Sequence, residues 1–381
     1  MHRLFSIADR EIGHGRPVFI VAEGGVNHNG RVELALELVD AAARAGADAI
    51  KFQTFRAEEL ASTDLPQAEY QKRSGVKSQR EMLKELELPT EAYPLLAEAC
   101  REKGIIFFST PFDGDSLDLL IGLDVPAIKV PSGEVTNHPF LKQIALSNKP
   151  VLLSTGMADL EEVWSAVAVI RRNGDPPLAI LHCTTSYPAS SESINLRAMQ
   201  TLEAKFHVPV GLSDHSEGID IPLAAVAQGA VIIEKHFTLS RDLPGPDHRC
   251  SLEPDDMARM VAGIRKIELA LGTGEKKPHS SEEEVKRLVR RHLAFKRDLR
   301  AGNVVGMDDL VATRCGGEVY PSQIESVVGR KLLQDQKAGT PVHLHALEER
   351  KHPRNRSAEP HRSNDPNDSL PERLVRFGTS G

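Results

Sequence analysis

A (β/α)₈ TIM barrel followed by a small, β-rich second domain is the fold class this sequence predicts, and three observations lead to it. Eight short apolar runs, at 18–23, 48–53, 105–110, 127–132, 151–155, 178–183, 208–214 and 229–236, alternate with helix-like stretches. The runs are apolar almost throughout, as parallel strands buried on both faces are. Most of them end abruptly in polar groups, and barrel enzymes place their chemistry at the C-terminal ends of their strands. An open doubly wound sheet is the competitor, and the absence of Gly-x-Gly-x-x-Gly after the first run counts against it.

Taken in order, the first run leads into the turn Asn27-His-Asn-Gly30, read from the residues as a cap for the next helix. That helix spans 32–47, where Leu34, Leu36, Leu38, Val39 and Ala42 recur near helical spacing and Gly46 is the stop. The stretch 160–172 reads as another helix, with Asp159 as its N-cap and Gly174 just past its end. After the eighth run, two prolines and a glycine stiffen the loop 243–249, which the residues alone describe as a surface turn presenting Asp247. The barrel is expected over 1–271, a linker with a short charged helix over 272–291, and the small domain over 292–349. Short strands are expected there at 293–297, 304–305, 311–314 and 342–344. Residues 350–381 are rich in Pro, Asn, Ser, Arg and Asp, and read as a disordered tail.

The composition narrows the function classes. A net charge of −7 argues against a nucleic-acid partner, and the basic cluster at 286–291 follows three glutamates, as on a mixed-charge helix face. No apolar stretch reaches the roughly 18 residues of a membrane span, and because residues 1–10 hold no long apolar stretch, no secretory signal is expected. The four cysteines, Cys100, Cys183, Cys250 and Cys315, fit neither a metal nor a disulfide spacing. A reducing, cytoplasmic setting is the expectation.

The chemistry gathers at the strand ends. Gly211-Leu-Ser-Asp-His215 and Ile233-Glu-Lys-His236 end the last two runs, so His215 and His236 stand on neighbouring strands and can share one divalent metal ion. Lys51 and Lys129 lie inside apolar strands, where an ammonium needs an anionic partner. That partner is a bound phosphate or carboxylate, with Thr110, Ser132 and Ser154 as further donors, or else one of the acids Glu23, Glu134 and Glu234. Any of these acids can orient a lysine or move a proton, and the sequence does not divide those roles.

In this order the motifs resemble the bacterial sialic acid synthase (N-acetylneuraminate synthase) family over about residues 3–348. They are Ala22-Glu23 with Asn27-His-Asn-Gly30, Ala49-Ile-Lys-Phe-Gln53, Ser109-Thr-Pro-Phe112, Lys129-Val-Pro-Ser-Gly-Glu134 and Ser154-Thr-Gly-Met157. They continue through His182-Cys183, Tyr187-Pro188, 211–215, Glu234-Lys-His-Phe-Thr238 and Pro244-Gly-Pro-Asp-His248. The second domain resembles the antifreeze-like (SAF, β-clip type) module of those enzymes. The resemblance implies a condensation of phosphoenolpyruvate with an open-chain N-acetylated amino sugar, with water addition, C–O cleavage and release of phosphate.

The resemblance also implies roles for residues. His215 and His236 match ligands of a divalent metal, Mn²⁺ first, with Mg²⁺ or Co²⁺ as alternatives. Glu23, Lys51, Thr110, Lys129, Ser132, Ser154 and Ser213 match positions around phosphoenolpyruvate, and Gln53, Thr185, Tyr187 and Asp247 positions around the sugar. Glu134 matches an acid/base residue, with Glu23 and Glu234 as the other catalytic acids. Arg314 matches an arginine that reaches the partner's site in a domain-swapped homodimer. The expected acceptor is N-acetylmannosamine, giving N-acetylneuraminate. The alternatives are a 2,4-diacetamido-trideoxyhexose, giving legionaminic or pseudaminic acid, and a phosphorylated sugar, giving a 9-phosphate. Three positions depart from the family pattern: Cys315 replaces the proline of Arg-Pro-Gly, Thr185 replaces an asparagine, and Arg291-His292 stands where Arg-Ser is common.

Overall fold

The structure, a computed structural model, describes residues 4–63 and 78–349, so the tail expected at 350–381 lies outside the described residues. The chain divides after Glu275 into two compact units.

The first unit opens with a hairpin of β1 (Phe5–Ile7) and β2 (Arg10–Ile12) that carries Ile7 and Ile12, both fully buried. Eight parallel strands then close into a barrel. They are β3 (Phe19–Gly25), β4 (Ala49–Thr54), β5 (Ile106–Pro111), β6 (Ile128–Val130), β7 (Val151–Ser154), β8 (Leu178–Cys183), β9 (Val210–Asp214) and β10 (Ile232–His236). Each of the eight barrel strands expected from the sequence is present, and β10 closes the ring on β3 with Ile232 opposite Phe19 and His236 opposite Glu23. The strands are buried because helices cover the outside of the ring, which is why they read as continuous apolar runs.

The helices follow from their stripes and caps. Helix α1 (Val32–Arg44) buries Ala35, Leu38, Val39, Ala41 and Ala42, and the chain turns at Gly46 with φ +82°. Its N-cap is Arg31, which makes no side-chain cap. The capping role expected of Asn27–Gly30 is therefore not the one these residues play. Helix α7 (Leu160–Arg172) starts on Asp159, whose Oδ1 accepts from the amides of Glu161 and Glu162, while Glu162 reaches back to the Asp159 amide. Such a capping box contributes about 1 kcal/mol. Between β4 and β5 the chain adds α2 (Ala57–Leu60), α3 (Gln79–Leu86) and α4 (Ala92–Lys103). Helices α5 (Gly114–Gly122), α6 (His138–Leu146), α8 (Ser191–Ile194), α9 (Ala198–Phe206) and α10 (Asp220–Ala227) follow the later strands, and the first unit ends with α11 (Pro254–Leu271).

In the second unit, α12 (Glu283–Val289) leads to β11 (His292–Phe295), which pairs antiparallel with β12 (Leu310–Thr313). Isolated bridges join Val304 to Lys331, Leu299 to Gln336 and Ala294 to Pro341. The expected strand at 342–344 is instead the lead into a 3₁₀ turn, Leu344–Ala346. Leu293, Phe295, Val305, Val319, Val327 and Val342 form the separate core of this unit.

Candidate active site

A cavity of about 300 Å³ opens at the C-terminal end of the barrel strands, and strand alternation decides which side chains reach it. On β9 and β10, Ser213 and Glu234 line the cavity, as do His215 and His236 just beyond or at the strand ends. The residues between them, Asp214 and Lys235, do not. They pair with each other at 2.5 Å on the other face, fully buried, and Lys235 also donates to the Ser216 carbonyl.

The cavity floor carries two lysines and two acids. Lys51 Nζ donates to Thr110 Oγ1 at 2.9 Å and lies 2.5 Å from Glu23 Oε2 and 3.8 Å from Glu234 Oε2. Lys129 Nζ lies 3.5 Å from Glu234 Oε1, which also accepts from Ser213 Oγ at 2.8 Å. Burial drives the Glu23 carboxyl up to about 7, with Lys51 pulling it down and Glu234 pushing it further up. Glu234 goes the other way, because Lys129 and Lys51 outweigh its burial and hold it below the ordinary carboxylate range. Burial also lowers Lys129, with Glu234 opposing and Lys51 adding to the effect. With Glu23 only about half ionised near pH 7, two ammonium groups face less than two full carboxylate charges, and the floor favours an anion. Ser154 Oγ and Glu234 Oε2, both buried, have no hydrogen-bond partner among the described residues. Ser132 Oγ accepts from the Gly156 amide at 2.9 Å, and a Cβ on Gly156 would stand 2.1 Å from Thr185 Oγ1, so only glycine fits there.

The two histidines stand across the same cavity, with ring centroids 5.2 Å apart. His215 Nδ1 lies 2.8 Å from the Thr184 carbonyl, a contact that places the proton on Nδ1 and leaves Nε2 free to ligate. His236 is held well below the usual imidazole range by burial, then by the charges of His215, Lys51, Lys235 and Lys129, and its buried Nδ1 has no hydrogen-bond partner among the described residues. A neutral, unpartnered imidazole beside a second one is what a divalent metal requires, so the residues fit such an ion. Burial pushes the Cys183 thiol up, and contact with His215 at 3.8 Å overcomes this and draws it to about 7. Tyr187 packs on both histidines, its ring 4.2 Å from that of His215 and 5.8 Å from that of His236.

The loop after β10 is not the surface turn expected from its prolines. Asp247 and His248 are buried, and Asp247 Oδ2 lies 3.9 Å from His236 Nδ1. Burial raises the Asp247 carboxyl to about 6. The turn after β3 holds this loop. Asn27 Nδ2 donates to the Phe237 carbonyl and to Ser251 Oγ, each at 2.9 Å, and Asn29 Oδ1 lies 3.2 Å from His248 Nε2. Asn27–Gly30 is thus a brace between the first and last strands of the barrel rather than a helix cap.

The cavity therefore gathers Glu23, Lys51, Gln53, Thr110, Lys129, Ser132, Ser154, Thr185, Tyr187, Ser213, His215, Glu234, His236 and Asp247. Two expected site residues are not among its lining. Glu134 closes a 3₁₀ turn (Ser132–Glu134), where its carboxylate accepts from Asn137 Nδ2 at 2.6 Å, Asn137 being the N-cap of α6 (His138–Leu146). Arg314 belongs to the second unit, just beyond β12, and is exposed. The structure adds an apolar share of the lining that the sequence did not single out, from Val26, Leu60, Met82, Leu83, Leu86 and Phe112. Leu83 and Leu86 sit at helical spacing, the signal of an ordinary buried stripe, and so point to no site on their own.

Comparison with known proteins places these features in a lineage. A model described as the NeuB family matches residues 38–276, and a SAF domain model matches residues 290–348. The N,N'-diacetyllegionaminic acid synthase of Legionella pneumophila is 47% identical over 334 residues, covering 86% of this chain and 94% of that protein. The enzyme of the same description from Campylobacter jejuni is 43% identical, covering 83% of this chain and 96% of that protein. Among solved structures, the N-acetylneuraminic acid (sialic acid) synthetase of Leptospira borgpetersenii, in complex with citrate, superposes with a TM-score of 0.68 at 39% identity, covering 75% of this chain and 95% of that one. The chain belongs to the NeuB family of phosphoenolpyruvate-utilising condensing enzymes that make nonulosonic acids, and it carries a C-terminal SAF domain.

Proposed function

We propose that this enzyme condenses phosphoenolpyruvate with an open-chain 2,4-diacetamido-trideoxyhexose, releasing phosphate and forming a diacetylated acid of the legionaminic type. The observation that carries the choice of acceptor is the 47% identity, over nearly the whole of both proteins, to a synthase of that product. It displaces N-acetylmannosamine, the acceptor first expected, to a second reading, which the likeness to the Leptospira synthetase keeps in view. A phosphorylated acceptor finds no support in the cavity. Among the described lining residues the only cations besides the histidines are Lys51 and Lys129, and both face the floor acids.

In this reading Lys51 and Lys129 hold the phosphate and carboxylate of phosphoenolpyruvate, with Thr110, Ser132, Ser154 and Ser213 as the hydroxyls around it. Positioning of this kind supplies much of the rate. C3 of phosphoenolpyruvate bonds to the aldehyde carbon of the sugar, and the aldehyde oxygen takes a proton. Water adds at C2, and the bond from C2 to the phosphate oxygen breaks. A divalent ion held by His215 and His236, Mn²⁺ first and Mg²⁺ or Co²⁺ next, supplies Lewis acidity at the aldehyde when bound. Glu23, with a pKa of about 7, is suited to exchanging protons near neutral pH. Glu234 stays ionised and keeps the lysines in place. Glu134, its carboxylate oriented by Asn137 Nδ2, keeps the acid/base role that the resemblance implies, with Glu23 as a second proton carrier. Gln53, Thr185, Tyr187 and Asp247 address the polar groups of the sugar.

Arg314 completes this proposal from a partner chain, in a domain-swapped homodimer. Its exposure and the lack of any arginine in the described lining support that assignment. A cytoplasmic setting agrees with four free cysteines. The deciding experiment measures phosphate release from phosphoenolpyruvate with the diacetamido sugar, N-acetylmannosamine and its 6-phosphate. A higher kcat/KM for the diacetamido sugar is expected. Preference for either of the others sinks the choice of acceptor.

A further inference from the structure

We propose that the apolar face of α2 and α3 is the subsite for the methyl-bearing end of the acceptor, taking its deoxygenated terminal carbon and the methyl of its second acetamido group. The inference rests on the diacetamido reading above and adds to it the residues that enforce the choice.

The cavity has two kinds of wall. The lysines, acids and histidines occupy the floor and the β9–β10 side, whereas Leu60 of α2 and Met82, Leu83 and Leu86 of α3 enter from the β4–β5 connection. With Val26, Phe55 and Phe112 they form a hydrophobic cluster separate from the barrel core. Met82 and Leu86 are buried within it, while Leu60, Leu83 and Phe112 remain partly exposed and turn apolar surface to the cavity.

This wall is fixed relative to the floor. A Cβ on Gly30, which has φ +69°, would stand 2.4 Å from the Glu85 carbonyl, so α3 presses on the turn that also braces the Asp247 loop. The Ala57 amide donates to Glu87 Oε2 at 3.0 Å, tying the start of α2 to the end of α3.

The chemistry of the acceptor then sets its direction. Its aldehyde carbon must reach the floor, where phosphoenolpyruvate lies, and its polar groups have partners in Gln53, Thr185, Tyr187 and Asp247. The far end meets chiefly apolar side chains, Gln79 at the start of α3 being the polar exception in that wall. A hydroxyl placed there loses water without gaining a hydrogen bond, whereas a methyl gains by leaving water. Discrimination of this size runs to about 10–200-fold per group.

The test compares Leu83→Gln and Leu60→Gln with Leu83→Met. Both glutamine variants are expected to raise KM for the diacetamido sugar by about tenfold or more. KM for phosphoenolpyruvate, KM for N-acetylmannosamine and kcat should stay near parental values, and Leu83→Met should behave as the parent. Unfolding midpoints are measured alongside, and Leu83 and Leu60 are both partly exposed, so a selective change in one KM does not report a loss of folding. Equal changes for both acceptors, or none, overturn the subsite. A parent enzyme that turns over only N-acetylmannosamine overturns the acceptor reading, and the subsite with it, before any variant is made.

Discussion

Two buried ion clusters lie at the same end of the barrel, are built from the same residue types, and do opposite things. Lys235 and Asp214 form the outer one. Lys235 is matched by Asp214 Oδ2 and the Ser216 carbonyl, and Asp214 also accepts from the Ser216 amide and hydroxyl. Every charge there is answered within the fold. The inner cluster, Lys51 and Lys129 with Glu23 and Glu234, leaves Glu234 Oε2 and the neighbouring Ser154 Oγ without hydrogen bonds among the described residues. It also splits the ionisation of its acids, Glu23 held near 7 and Glu234 below its ordinary value. A satisfied cluster stabilises and specifies a structure, whereas an unsatisfied one is prepared for something that arrives.

The largest effect that tests this contrast is expected at the inner cluster. Lys129→Ala should lower kcat/KM by about 10³ while the unfolding midpoint stays close to that of the parent. Lys235→Ala should do the reverse. It strands Asp214 in the core at a cost of about 3–5 kcal/mol, read by denaturant unfolding, with activity per folded molecule largely retained. If Lys235→Ala is as stable as the parent, the distinction between the clusters fails.

Metal removal comes next. EDTA should abolish turnover and Mn²⁺ restore it, and neither His215→Ala nor His236→Ala should be rescued. Full activity after stripping would sink the metal assignment. Arg314→Ala should raise the sugar KM about tenfold or more and leave phosphoenolpyruvate binding near its parental value. Mixing it with Lys51→Ala chains should recover activity that neither shows alone, because one site in the mixed dimer then has both residues. Equal loss of both substrates, or no recovery on mixing, would remove the partner arginine.

The smallest effect is the pH dependence. Glu23 is neutral below about pH 7 and ionised above it, which adds negative charge beside the bound anion. The KM for phosphoenolpyruvate should therefore rise a few-fold between pH 6 and 8, beyond what the titration of phosphoenolpyruvate itself produces. Glu23→Gln should flatten that extra rise, and an unchanged slope in the variant would refute the shift.

Much of this was legible in the sequence, for reasons that also mark its limits. The eight strands stood out because burial on both faces makes them apolar throughout, and α7 because its cap and stop are local signals. The hairpin β1–β2 was missed because three-residue strands have no period to read. The site residues could be named from strand ends, but their facing could not. His215 and His236 each follow an acid, yet Asp214 turns away and Glu234 turns in, a matter of one position in a two-residue repeat. The turn Asn27–Gly30 was misjudged because its partners, Phe237, His248 and Ser251, are set by tertiary neighbours more than 200 residues away.

The brace between Asn27, Asn29 and the loop after β10 bears on synthesis as well as catalysis. Its hydrogen bonds join residues 210, 219 and 224 positions apart in the chain. A nascent polypeptide emerging N-terminus first carries both lysines long before it carries His236 or Asp247. Contacts of such sequence separation form late and slowly. The two halves of the reaction centre are thus produced at different times on the ribosome, and a chain stalled before its eighth barrel strand exposes a charged, unclosed floor with no catalytic capacity.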